Sequence, residues 1–246
     1  MELKNKTALI TGAGAVGGIG AEIARVLAEA GASVVVSGRH AARGEEVVKE
    51  VVDKGGNARF VLADLENLDD VARLAQEAGA VDILVNNAAA LTMGPTVEQE
   101  LEGYERVFDV NVRATYFLTA KIAPAMVAKG EGSIINLSSL AGKLAMPGMS
   151  VYGATKAAIE SLTRNWAEEW SASGVRVNAI APGTVNSEFV SGALGAEVFE
   201  FLRQEVPNKR IGTTNEIAQA VLFLASDKSS FITGATIAVD GGRTIR

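Results

Sequence analysis

The sequence predicts an α/β fold, one doubly wound domain with a parallel sheet and helices on both faces. Three observations predict it. Short Val/Ile/Leu runs alternate along the chain with longer stretches of helical periodicity. The runs lack polar alternation, as strands buried on both faces do. A glycine-rich turn directly follows the first run and opens the first helical stretch. Strand–helix alternation makes successive strands parallel, with right-handed crossovers. At 246 residues and 48% hydrophobic content, the chain is large enough for one substantial core. No Pro/Ser-rich linker or internal repeat divides it, so residues 1–246 read as one domain.

The elements follow in order. TALIT (7–11) leads into the glycines, and AEIARVLAEA then repeats apolar residues at helical spacing. SVVVS (33–37) precedes a charged helix that ends at Gly55-Gly56. ARFVLAD (58–64) precedes LDDVARLAQEA. VDILVNN (81–87), SIINLSS (133–139), VRVNAIAPG (175–183) and TIAVDGG (236–242) are the remaining strand candidates. Thr213 and Glu216 form a possible capping box for a helix running to Ser226. Residues 184–212 mix apolar residues with turns, and about 186–212 is expected to act as a substrate lid. A pair of ordinary surface helices is the plain alternative.

Composition narrows the function. A net charge of −6 argues against nucleic acid or an anionic membrane as main partner. MELKNKTALI holds too short an apolar run for a signal-peptide core, and nothing later approaches a membrane span. A cytoplasmic protein is expected. With no cysteine and one histidine, His40 in a polar stretch, thiolate zinc sites are excluded and a Ser-His triad is hard to build. No metal site is expected.

In doubly wound sheets, ligands bind beyond the carboxyl ends of the strands. TGAGAVGGIG (11–20) stands at such an end. Gly12, Gly14 and Gly17 spell G-x-G-x-x-G, whereas Gly14, Gly18 and Gly20 spell G-x-x-x-G-x-G. Either set brings backbone N–H groups and a helix N-terminus close to a phosphate. A P-loop needs G-K-[ST] after the glycines, and this chain has Gly18-Ile19-Gly20-Ala21. After SVVVS come Gly38 and Arg39, where an NAD site usually has an acidic residue. Arginine pairs with a 2′-phosphate that a carboxylate repels, so NADP(H) is preferred and NAD(H) possible.

Tyr152 and Lys156 share a helix face at i, i+4. A free tyrosine, with a pKa near ~10, is a poor acid–base group at neutral pH, and a nearby ammonium lowers that value. Such a pair transfers protons without histidine or metal. Ser139 ends SIINLSS, where a hydroxyl can polarise a carbonyl. Asn111 is polar in an apolar helical stretch, either satisfied by local hydrogen bonds or marking a kink or water-holding site near the lysine.

Over essentially its whole length the chain resembles the short-chain dehydrogenase/reductase family, in its 3-oxoacyl-carrier-protein reductase-like subgroup. The resemblance rests on Thr11-Gly12…Gly18-Ile19-Gly20, Asp64-Leu65, Asn86-Asn87-Ala88 and Asn111. It continues through Ser139…Tyr152-x-x-x-Lys156, Pro182-Gly183 and ITGATIAVDGG. It implies a seven-stranded Rossmann sheet and hydride transfer between NAD(P)H and a carbonyl or alcohol. It implies Tyr152 as proton donor or acceptor, and Lys156 as the group that lowers its pKa and holds the nicotinamide ribose. Ser139 would polarise the substrate and Asn111 support a proton relay through water. Asp64 and Leu65 would line the adenine pocket, with Asn86, Asn87 and Ala88 by the cofactor. Pro182, Gly183 and Val185 would face the nicotinamide, and Ser187 would lie near its carboxamide or the phosphates. Similar proteins are commonly tetramers, so a homotetramer is expected, with Trp166 and Trp170 preferred as subunit contacts over core residues.

The chain departs from the family pattern in three places. The loop from Gly12 to Gly18 is two residues longer than the commonest version, Ala89 replaces a glycine, and Ser187 stands for a frequent threonine. The preferred substrate is a small ketone or alcohol. A 3-oxoacyl-carrier-protein reductase is the alternative, with Lys129 as candidate basic docking residue. A non-catalytic NADP-binding sensor is the alternative of another class, against which the full Asn111, Ser139, Tyr152 and Lys156 set argues. Residues 144–151 and 186–210 are expected to line the substrate pocket, among them Leu144, Met146, Met149, Phe189 and Val190.

Overall fold

A computed structural model describes residues 1–187 and 196–245. The first half alternates strictly: β1 (Thr7–Ile10), α1 (Ile19–Glu29), β2 (Ser33–Gly38), α2 (Ala41–Asp53), β3 (Asn57–Leu62), α3 (Leu68–Ala78) and β4 (Ile83–Asn86). Next comes α4 (Leu101–Phe108), continued by a π-helical segment, Asp109–Ala114, and by α5 (Thr115–Lys129). Then follow β5 (Gly132–Leu137), α6 (Ser150–Trp170), β6 (Val175–Pro182), β7 (Val185–Asn186), α7 (Ala196–Glu205), β8 (Gly212–Thr213), α8 (Thr214–Ala225) and β9 (Thr236–Val239).

Seven strands pair in parallel in the order β3-β2-β1-β4-β5-β6-β9, while β7 and β8 form a separate short parallel pair. Every expected strand is present in the main sheet. The chain starts at the middle of the sheet, winds to one edge and returns to build the other. That reversal lies between β1 and β4, the place where sheets of this order form a crevice beyond the carboxyl ends of the strands.

Period-2 alternation splits the strand residues between two cores. Ala8, Ile10, Val34, Val36, Ile83, Val85, Ile135 and Ile180 pack with Ile23 and Leu27 of α1, Val47 of α2, and Ile217 and Val221 of α8. Leu9, Val35, Leu84, Ile134, Val175 and Val177 pack with Val71 and Leu74 of α3, Leu118 and Met126 of α5, and Trp166 of α6. Trp166 is thus a core residue, 5% exposed, with Trp170 stacked on it at 5.9 Å. The expectation that Trp166 makes a subunit contact is corrected: the inward face of α6 needs a large side chain over β5 and β6.

The capping box forms as expected. Thr213 Oγ1 accepts from the Glu216 N–H, and the Glu216 carboxylate accepts from the Thr213 N–H at 2.9 Å. The segment after β6 carries a helix, α7, and the β7–β8 pair. Phe189 and Val190, expected at the pocket, lie outside the described residues. His40 is exposed. Among the described residues no helix is long and apolar enough to cross a membrane.

Candidate active site

Because all seven strands are parallel, the segments that follow them emerge on one edge. The glycine loop and the β4 loop are stitched together there. Thr11 Oγ1 accepts from the N–H groups of Asn87 and Ala88, each at 3.1 Å. The Asn87 amide donates to the carbonyls of Thr11 at 2.8 Å and Gly12 at 3.0 Å. Gly12 has φ +65°, and a Cβ there would lie 2.6 Å from the Ala88 Cα. A Cβ on Gly20 would lie 2.5 Å from the Asn87 amide nitrogen and 2.7 Å from the Gly12 oxygen. These two positions admit only glycine at this spacing.

Gly18 caps α1 in an extended conformation, and Ile19 is the first helical residue. The N-terminus of α1 therefore stands behind the loop, Gly18 closing a turn onto the Ala15 carbonyl at 2.8 Å. Gly14 packs toward Gly38 and Gly44, and a Cβ there would meet only ordinary contacts, the nearest at 3.7 Å. The added residues are not slack. Arg25 of α1 donates to the Val16 carbonyl through both terminal nitrogens, at 2.6 and 3.2 Å, and pairs with Glu22 and Glu50. Arg25 was not singled out from the sequence, where it is one more charge on an amphipathic helix.

Arg39, exposed after β2, lies 3.7 Å from Glu66 of the β3–α3 loop. Asp64 is exposed in that loop and accepts the Glu66 N–H at 3.0 Å. Leu65 is half-buried and packs toward Ala90, Val107 and Phe108. These residues stand together at the β2–β3 end of the crevice. Asn86 does not join them. Its side chain turns into the sheet, donating to Thr119 at 3.0 Å and Asn136 at 2.9 Å. Strand alternation sends Asn87, not Asn86, toward the glycine loop.

The acid–base candidates meet beyond β5. Ser139 follows that strand; its hydroxyl accepts from the Ala141 N–H at 3.2 Å and lies close enough to Tyr152 to pull the phenol's pKa down. Lys156 is 3% exposed; its amine donates to the Leu137 carbonyl at 2.7 Å and lies 5.4 Å from the Tyr152 ring centre. Burial pushes the lysine down to about 8. It pushes the tyrosine above its usual 10, against a smaller downward pull from the nearby Ser139 hydroxyl. The lowering of Tyr152 expected from a neighbouring ammonium is therefore not what this arrangement produces: the amine is turned to Leu137, and burial favours the neutral form of both groups.

Asn111 sits inside the π-helical segment, 2% exposed. Its side chain accepts from the Ala90 N–H at 2.7 Å and donates to the Ala90 carbonyl and Thr155 Oγ1, each at 3.0 Å. Thr155 in turn donates to the Tyr152 carbonyl at 2.7 Å. The Asn111 side chain is occupied by these ties. Thr155 and the buried Ser138–Glu160 pair, 2.9 Å apart, were not read from the sequence. A polar residue three positions from Tyr152 on the same helix face was the available signal for Thr155.

Pro182 ends β6, and Gly183 follows it, its N–H donating to the Val239 carbonyl at 3.0 Å. Val185 is 3% exposed and its side chain belongs to the core under α8, while Ser187 is 7% exposed. Both side chains are thus buried rather than open.

The crevice thus combines a glycine cradle, a helix N-terminus, and a hydroxyl–phenol–amine set, all at the carboxyl edge. A sequence family described as Enoyl-(Acyl carrier protein) reductase matches residues 12–244. A relative from Staphylococcus epidermidis, named 3-oxoacyl-[acyl-carrier-protein] reductase FabG, is 37% identical over 243 residues, 97% of this chain and 98% of its own. The chain belongs to the short-chain dehydrogenase/reductase family. A solved short-chain dehydrogenase/reductase family protein is 50% identical, with TM-score 0.94 and full coverage of both chains. A gluconate 5-dehydrogenase from Burkholderia cenocepacia, solved with NADP and tartrate, is 34% identical with TM-score 0.93, covering 100% of this chain and 97% of that one. This short-chain dehydrogenase/reductase is accordingly an NAD(P)-dependent oxidoreductase. The cradle fits such a cofactor: glycines at positions 12 and 20 allow close backbone approach, and the α1 N-terminus favours an anion.

Proposed function

We propose that this chain is an NADP(H)-dependent reductase or dehydrogenase of a small ketone or secondary alcohol, with Tyr152 as the acid–base group. One observation carries it: the Ser139 hydroxyl, the Tyr152 phenol and the Lys156 amine converge just beyond β5. A bound nicotinamide supplies or accepts the hydride. Ser139 donates a hydrogen bond to the substrate oxygen, and Tyr152 gives up or takes the proton at that oxygen. Lys156 holds the nicotinamide ribose. When its amine leaves the Leu137 carbonyl, it stabilises the phenolate and offsets the effect of burial. Asn111 holds the π-helical kink beside Thr155 and Tyr152 and so supports the water relay. Gly12, Gly14, Gly18, Ile19 and Gly20 hold the pyrophosphate, and Asn87, Ala88, Pro182 and Gly183 flank the rest. Val185 and Ser187 shape the nicotinamide end from beneath. Asp64 and Leu65 line the adenine pocket, and Arg39 reads a 2′-phosphate. We place the protein in the cytoplasm as a homotetramer, folded as a single domain whose 186–212 segment covers the substrate.

Charge supports a free small substrate over a carrier protein. Lys129, the expected docking residue, ends α5 and pairs with Asp82 and Glu131, which precede β4 and β5. It lies at the amino edge of the sheet, opposite the crevice, because α5 runs antiparallel to the strands. Within the 186–212 segment, Arg203 pairs with Glu200, and Arg210 pairs with Glu216 just beyond it. The name of the Staphylococcus relative favours 3-oxoacyl-carrier-protein reduction as a second reading.

A screen of ketones and alcohols with both cofactors, and with an acyl carrier protein thioester, separates the two. Tyr152→Phe is expected to cut turnover about 10²–10⁴-fold while NADPH still binds. Near-normal turnover in that variant would sink the assignment. Tight NADPH binding by the wild type with no turnover of any substrate would point to a sensor.

A further inference from the structure

The β2–β3 end of the crevice contains a carboxylate that the cofactor assignment leaves unused. Strands β2 and β3 are neighbours in register, Gly38 opposite Leu62, so Arg39 and the 63–66 turn emerge side by side. The Glu66 backbone is anchored at both ends. Its N–H donates to the Asp64 carboxylate at 3.0 Å, and its carbonyl accepts from Arg113 at 2.7 Å. The carboxylate therefore has a fixed origin. It accepts from Arg106 Nε of α4 at 2.8 Å and stands 3.7 Å from Arg39 Nη1.

We propose that Glu66 is a specificity-determining residue that acts against the 2′-phosphate of the cofactor, and that Arg106 limits its effect. The inference rests on Arg39 as the phosphate reader. A guanidinium fork that holds a phosphate must release or share a competing carboxylate. Glu66 is that competitor, and its charge also lies within a Debye length of any dianion seated on Arg39. Arg106 is the closer cation and draws Glu66 away from Arg39. The preference for NADP(H) over NAD(H) is therefore set by the balance among three side chains.

The test is calorimetric binding of 2′,5′-ADP and 5′-AMP to the full chain, which needs no turnover. Glu66→Gln keeps an acceptor for Arg106 and removes the charge. It is expected to tighten 2′,5′-ADP about two- to fivefold and leave 5′-AMP unchanged, with the gain shrinking at high salt. Arg106→Gln is expected to do the opposite, weakening 2′,5′-ADP alone about two- to fivefold. Opposite signs from two exposed positions are not what loss of a structural tie produces. Should Glu66→Gln weaken 2′,5′-ADP, or leave its ratio to 5′-AMP unchanged, the competitor role is wrong. Arg39→Ala separates the two levels. If it abolishes the 2′-phosphate preference while Glu66→Gln does nothing, only this inference falls. If the preference survives Arg39→Ala, the phosphate-reading assignment falls with it.

Discussion

Burial acts on Tyr152 and Lys156 in the same sense, favouring the neutral form of each, and this has a consequence for stability. The lysine falls from 10.5 to about 8 on folding. Below pH 8 it is charged in both states, and the folded state bears the cost of a buried ammonium. Between about 8 and 10.5 the unfolded chain binds more protons at this site than the folded one. Stability therefore rises with pH across that window, by on the order of 3 kcal/mol in full. Tyr152, held above 10, works the other way only at higher pH, where the unfolded chain loses its phenolic proton first. Urea unfolding of wild type and Lys156→Met at pH about 7.5 and about 9.5 checks the sign. The wild type is expected to gain on the variant as pH rises. A constant difference would mean that the ammonium is well solvated in the fold. The sequence made this pair legible through its i, i+4 spacing. It did not show where the amine points, because the Leu137 carbonyl that takes it lies on another element.

At the scale of elements, the α4–π–α5 run is the part that sequence periodicity describes least well. A single extra residue per turn at Asp109–Ala114 turns Asn111 toward the β4 loop and α6. Asn111→Leu keeps the branched outline of the side chain and removes three hydrogen bonds, leaving the Ala90 N–H and carbonyl without their partner. The expected cost is about 2–4 kcal/mol, read as a lower urea midpoint with an unchanged slope. A change below about 0.5 kcal/mol would show that water replaces the side chain. The glycine loop shows the converse case. Gly12 and Gly20 were legible because close approach demands glycine, yet Arg25, which pins the lengthened turn at Val16, was not. Nothing in an amphipathic helix marks which arginine reaches back to a carbonyl nine residues earlier.

For the whole molecule, the described surface carries several large apolar side chains that the fold leaves uncovered. Phe231 is fully exposed, Tyr116 and Phe117 of α5 are 44% and 43% exposed, and Phe223 of α8 is 37% exposed. Surfaces of this kind support the proposed homotetramer. Light scattering is expected to give four chains per particle, and a concentration-independent monomer would refute it. Phe231→Glu is expected to shift the assembly toward smaller species without changing the far-UV spectrum, since this side chain makes little contact within its own chain.

The chemistry was legible from the sequence alone because it depends on residue type at fixed spacing. Uninterrupted apolar runs require buried parallel strands, strand alternation then divides them between two cores, and parallel strands place every following loop on one edge. That order of events locates Gly12–Gly20, Arg39, Ser139, Tyr152 and Lys156 together before any coordinates are known. Only the tertiary structure decided the contacts between elements distant in the chain. It placed Trp166 in the core, Lys129 at the wrong edge for docking, and the Asn86 side chain inside the sheet. It also set Glu66 between Arg39 and Arg106. These outcomes depend on which side chain faces which neighbour on another element, and a single chain of letters carries no distance between them.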